Sequence, residues 1–328
     1  MAQREIIEPV DLCDDRGRLN PDALGWTRAP LHRSNLRGWG RTKRWEHWGI
    51  VTPTHVLGLT VSSLDYAGAH GIYVLDRRSG EETRRDVVAP LARGTQLPEL
   101  AAGGPVRARA GGLDISVDES LRGTRLHAEA QGVRVELMVE RLEEHESLGV
   151  VVPWSERLFQ YTLKDVARRV GGRIWLDGLE HPVPMEDSWA VLDHGRGRWP
   201  YAVTWNWGAG SGVVDGAVVG LQLGGGWTDG TGATENGIVV DGRLHHFDDL
   251  LDWQYDVRAP MRPWQVRGPH VDVVLEPFHQ RVATTNLGIV ASRTHQAFGH
   301  WRGHVVVDGH RQSVEGLVGW AEEARNRW

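Results

Sequence analysis

The sequence predicts an all-β protein made of many short antiparallel strands, and three observations carry that prediction. Glycine takes 41 of 328 positions, and in the company of β-branched residues it favours strands and turns over helices. From Trp45 onward, short runs alternate between apolar and polar residues at period two. Many of these runs end at Asp-Gly steps (Asp177-Gly178, Asp215-Gly216, Asp241-Gly242, Asp308-Gly309), which are hairpin signals. Closed or nearly closed barrels are the natural architecture for such a chain, because they leave few free sheet edges.

Taken in order, residues 1–35 are polar with scattered Pro9, Pro21 and Pro30 and read as an irregular lead-in. Strands then follow one another through Leu148–Val152, where Pro153 ends the first meander, and resume at Phe159. The one break in composition is Gly224-Gly225-Gly226, which divides the chain into a first β domain over 36–225 and a second over 226–328; a cut near Pro153 is the alternative. The last series includes a strand from Gly288 to Ser292. Helical spacing occurs only at the end, where Leu317, Trp320, Ala321 and Ala324 would share one face of a short C-terminal helix.

Composition also sets exclusions. With 40% hydrophobic and 24% charged residues the chain is expected to be globular and soluble. No apolar run reaches the ~18 residues of a membrane-spanning helix, and the acids near Met1 do not suit a signal peptide, so a cytoplasmic protein is expected. Cys13 is the single cysteine, which excludes an intramolecular disulfide and a cysteine zinc site. A net charge of −6 without a basic block speaks against nucleic acid as a partner. The glycine-rich stretch Gly224–Gly232 leads into a strand rather than a helix, so it is not expected to cradle phosphate. Ser211 is misplaced for a nucleophile elbow. His300 and His304 are evenly spaced but belong to no metal motif. No cofactor and no metal are therefore expected.

What remains points to a small molecule. Tryptophan is unusually frequent, 16 residues against 4 Phe, and indoles line pockets for apolar or cationic ligands as readily as they fill barrel cores. Arginine supplies every cation except Lys43 and Lys164, and lysine offers a compact ammonium that can be desolvated or lose its proton. Strand alternation puts Gln160, Thr162 and Lys164 on one face. The densest polar-aromatic cluster holds Asp193, His194 and Arg196, followed by Trp205, Asn206 and Trp207. Asp193 beside His194 is a candidate acid/base pair, and Trp205 and Trp207 form a candidate apolar wall. A second cluster, with Asp229, Glu235 and Asn236, could supply buried carboxyl groups of raised pKa or serve as turn and rim.

Several of these segments together resemble a large bacterial family known only as a domain of unknown function. They are Lys43-Arg-Trp-Glu46, Pro153-Trp-Ser-Glu-Arg157, Phe159–Lys164, Leu192–Gly197, Trp205-Asn-Trp-Gly208, Trp227–Asn236 and Gly319-Trp-Ala-Glu322, and the resemblance runs from Trp39 to Trp328. A fainter likeness reaches hydroxyneurosporene synthase, the tocopherol cyclases and lipocalin-like Diels–Alderases. That likeness implies two lipocalin-like barrels side by side, with an apolar substrate in or between them. Asp193-His194 and Trp205-Asn206-Trp207 are similar to an Asp-His pair and a Trp-Asp-Trp triplet of the hydratase group. Asn206 stands where that group has an acid, and an amide cannot protonate an alkene. The expectation is a protein that binds an apolar or amphipathic small molecule, with cofactor-free hydration, elimination, isomerisation or cyclisation, or alternatively a non-catalytic carrier of a lipid-like ligand.

Overall fold

A computed structural model describes residues 3–286 and 291–327; most of the expected Gly288–Ser292 strand lies outside the described residues. The chain forms two curled antiparallel sheets, consistent with two lipocalin-like barrels. In the first sheet the strand order is Glu82–Pro90, Ala67–Asp76, His55–Ser63, Thr42–Val51, Trp189–Arg198, Phe159–Leu176, Val133–Glu140, Gly123–Ala130, Leu113–Ser120, Val106–Ala110 and Thr95–Gln96. In the second it is Arg243–Phe247, Asn236–Val240, Ala217–Gly225, Ala202–Val214, Val318–Arg327, Ala291–Val307, Val271–Asn286, Trp264–Arg267 and Asp252–Gln254. The chain changes sheet at residues 199–201, a point between the two cuts that composition suggests. Part of the lead-in is built into the fold: Trp26–Thr27 pairs with Leu148–Pro153, and Leu12 and Ala23 are fully buried.

Alternation along each strand sorts the apolar side chains into three cores. Ile50, Leu57, Ile72, Ile115, Leu126 and their neighbours fill the first barrel, and Val219, Leu221, Trp264, Trp301 and Leu317 fill the second. The third core lies between the sheets, where Val150, Val166, Val191 and Trp199 meet Trp207, Trp227, Phe298 and Trp320. The sheets approach closely here because several facing positions are glycine. A Cβ at Gly49 would collide with the Trp320 ring, and one at Gly220 with Val166 and Ala167. At a β-bulge between Asp165 and Arg168, Ala167 takes φ +59° and donates its N–H to Ser211 Oγ of the other sheet at 3.0 Å.

The expected C-terminal helix is a strand. Val318–Arg327 lies between Ala202–Val214 and Ala291–Val307, with Trp320 turned to the inter-sheet core and Ala321 into the second barrel. A strand covered on both faces loses the in-out alternation, and its apolar residues can then fall by accident at helical spacing.

Candidate functional site

Register places two rows of side chains opposite each other across the inter-sheet core. On the first sheet, Thr60, His47, Asp193, Lys164 and Leu148 are successive cross-strand partners. On the second, the row is Trp207, Glu322, Gln296 and Arg281. Lys164 joins them. Its ammonium stands 4.3 Å from the centroid of the Trp207 ring, 2.9 Å from Asp193 Oδ1 and 3.5 Å from Glu235 Oε2. Asp193 also accepts hydrogen bonds from Trp45 Nε1 at 2.9 Å and Thr162 Oγ1 at 3.3 Å. Glu235 accepts from Trp227 Nε1 at 2.7 Å. Glu322 accepts from Trp205 Nε1 at 3.1 Å and Gln296 Nε2 at 3.0 Å.

Charge in this layer is unbalanced. Burial works against the Lys164 ammonium, yet Asp193 and Glu235 outweigh it and hold its pKa above the usual lysine value, so this lysine keeps its proton. Burial raises the Glu235 carboxyl. It pushes Glu322 up to about 7, against the pull of the Trp205 hydrogen bond and of Lys164. His47 is driven down to about 4 by burial and is neutral. Three carboxyl groups therefore face the Lys164 ammonium, with the Arg281 guanidinium also acting on Glu322, which holds a proton for part of the time near neutrality.

The indoles form the wall of this layer. Trp199 has Trp45, Trp154 and Trp205 edge-on around it at centroid distances of 5.5, 5.2 and 5.7 Å, and stacks on Trp227 at 5.4 Å. Gly195 makes room for Trp45, since a Cβ there would overlap its ring. Trp207 is buried and Trp205 half-buried on the same face, as their spacing predicts.

His194 is elsewhere. Neighbours on a strand point to opposite faces, so Asp193 looks into the inter-sheet layer and His194 into the first barrel, and the two do not form a pair. His194 Nδ1 is 2.9 Å from Glu46 Oε1. Arg196, on the same face, reaches Glu46 at 3.5 Å and donates to the carbonyls of Trp45, Gly195 and Pro98. Burial and the Arg196 charge lower the His194 pKa.

The remaining candidates scatter. Asp229 is exposed in a turn. Asn236 is buried but braces backbone, accepting from Gly224 N–H and donating to Asp249 C=O. Asn206 faces the second barrel and donates to the Glu322 carbonyl at 3.2 Å. Lys43 lies over the Tyr66 ring, 4.7 Å from its centroid, donates to the Tyr66 hydroxyl at 3.3 Å, and has its pKa lowered to about 8 by burial. Of the residues singled out from the sequence, Lys164, Asp193, Glu235, Trp205 and Trp207 come together in this layer; Glu322, Gln296 and Arg281 were not among the candidates. Glu322 had a signal, since it follows Trp320 by two positions on what is a strand. Among the described residues no group of His, Cys, Asp and Glu could hold a metal ion, and no helix is long and apolar enough to cross a membrane.

The model of one protein family, a domain of unknown function designated DUF2804, matches residues 3–328. The chain belongs to that family. No curated protein matches it. Among solved structures, the complex of CghA with Sch210972 is 12% identical with a TM-score of 0.58, covering 90% of this chain and 89% of that one. An AttH protein from Nitrosomonas europaea is 13% identical with a TM-score of 0.54, covering 86% and 92%. A kievitone hydratase from Nectria haematococca aligns at 10% identity and a TM-score of 0.49, over 88% and 89%. The CghA and AttH structures share this chain's two-barrel fold, which is all that such low identities carry.

Proposed function

We propose that this DUF2804 protein binds an apolar or amphipathic small molecule between its two sheets and moves a proton to or from it without a cofactor. The observation that carries this reading is the Glu322 carboxyl, buried against indoles with its pKa at about 7. A carboxylic acid that holds its proton near neutrality in an apolar layer is a general acid in waiting. In an addition or cyclisation, Glu322 would give its proton to an alkene or carbonyl. The carboxylate left behind keeps the N–H groups of Trp205 and Gln296 and the field of Lys164. Asp193, fixed by Trp45 and Thr162, and the faces of the indoles would oppose positive charge developing on the ligand. In an elimination the same groups act in reverse. Asn206 has no part in proton transfer, and Glu322 takes the role its position would suggest for an acid.

Native mass spectrometry of the purified chain, followed by incubation with whatever molecule is retained, tests this. The wild type should convert the molecule, and Glu322→Gln should bind it and leave it unchanged. Conversion by Glu322→Gln at the wild-type rate would overturn the reading, and tight retention without conversion by the wild type would make the protein a carrier.

A further inference from the structure

Arg281 is the cation of the facing rows whose charge is favoured only from a distance, by Asp86 and Glu322. Its guanidinium carbon lies over the Tyr73 ring, 4.0 Å from the centroid. Nη1 reaches Gln296 Oε1 at a long 3.5 Å, and the buried Nε has no partner. It makes no ion pair among the described residues. The nearby acids are engaged elsewhere: Asp86 is bonded to Arg84, Glu82 to Tyr73 and His279, and Glu322 to Trp205 and Gln296. Burial disfavours its charge and lowers its pKa, so the position is costly to maintain unless something is gained there.

With Nη1 turned to Gln296 and Nε unpartnered, the guanidinium keeps donors to offer, and a fork of two such donors matches the two oxygens of a carboxylate. From this arrangement we infer that Arg281 receives the carboxylate of the ligand, and that the substrate class is apolar molecules carrying one carboxylic acid. The inference rests on the proposal that the inter-sheet layer takes an apolar ligand. Gln296 sets the geometry, since its amide donates to Glu322 and accepts from Arg281. A carboxylate on Arg281 thus brings atoms a few bonds along the same ligand to the Glu322 carboxyl.

Retinoate and retinol share an apolar polyene and differ in the head group, and both quench tryptophan emission. Titration of the wild-type chain should show retinoate binding about tenfold tighter than retinol or more, as a charge-assisted bidentate contact allows. Arg281→Met should remove that preference and leave retinol affinity within about twofold, and Arg281→Lys should restore part of it. Should Arg281→Met fail to fold, methyl retinoate on the wild type decides, because esterification should cost the same preference. Equal binding of retinol and retinoate overturns the inference alone. Failure of both to bind overturns it together with the apolar-layer reading.

Discussion

Asp193 and His194 are neighbours on one strand, and the two faces they turn to handle buried charge in opposite ways. Inside the first barrel, Glu46 has Arg196 and a neutral His194, and Arg196 spends its donors on backbone carbonyls as well. That network is electrically closed and braces the Trp189–Arg198 strand against Thr42–Val51. Between the sheets, Asp193, Glu235 and Glu322 share Lys164, with Arg281 beyond Gln296. A closed network stabilises one arrangement, whereas an unbalanced one stores a proton and can change its charge at small cost. The comparison teaches that the balance of charge, more than the presence of acids and a histidine, separates a brace from a site.

The largest effect is expected at Lys164. Lys164→Met leaves the carboxyl groups without their buried cation, and removing one partner of a buried pair costs about 3–5 kcal/mol, which urea unfolding would register. A variant as stable as wild type would mean that the acids simply take up protons. Glu46→Gln should come next, at about 3 kcal/mol, since Arg196 is then buried unpaired. It should leave ligand affinity alone, and a matching loss of ligand binding would erase the distinction between the two faces.

Glu322 sharpens the comparison through pH. Its folded value of about 7 lies above the ordinary 4.5, so the folded chain keeps a proton that the unfolded chain gives up. The stability this group contributes is whole below pH 4.5 and is lost as pH rises through 7, in total about 3 kcal/mol. Glu322→Gln should flatten that slope and be the more stable chain on the alkaline side. An unchanged slope in the variant would place the titration elsewhere. The smallest effect belongs to Asp229→Asn: on an exposed turn it should shift stability by no more than about 0.5 kcal/mol and leave ligand binding untouched.

Much of the fold was legible because one rule, side-chain alternation, governs most strands. It put Gln160, Thr162 and Lys164 together against Phe159, Tyr161 and Leu163, and it put Trp205 with Trp207. It failed where both faces are buried, so the Val318–Arg327 strand read as helix and Glu322, seen only as the end of the Gly319–Glu322 segment, was not taken as a site residue. It also contradicts a pairing of Asp193 with His194, which proximity in sequence suggests and strand geometry forbids. The row Glu322, Gln296 and Arg281 was beyond reach for a different reason. Its members come from three strands, and only the register between those strands lines them up.

The ring of indoles around Trp199 has an optical consequence. Trp199 follows the last strand of one sheet, and its neighbours include Trp45 on a strand of the first sheet, Trp205 on a strand of the second, and Trp154 and Trp227 just beyond the Leu148–Pro153 and Ala217–Gly225 strands. Three of those rings meet it at 60–70°, an oblique geometry in which the electronic transitions of adjacent indoles couple and rotate polarised light. The molecule thus carries a built-in reporter of the distance between its halves. If the sheets part before they melt, this exciton signal vanishes while the β-sheet spectrum persists.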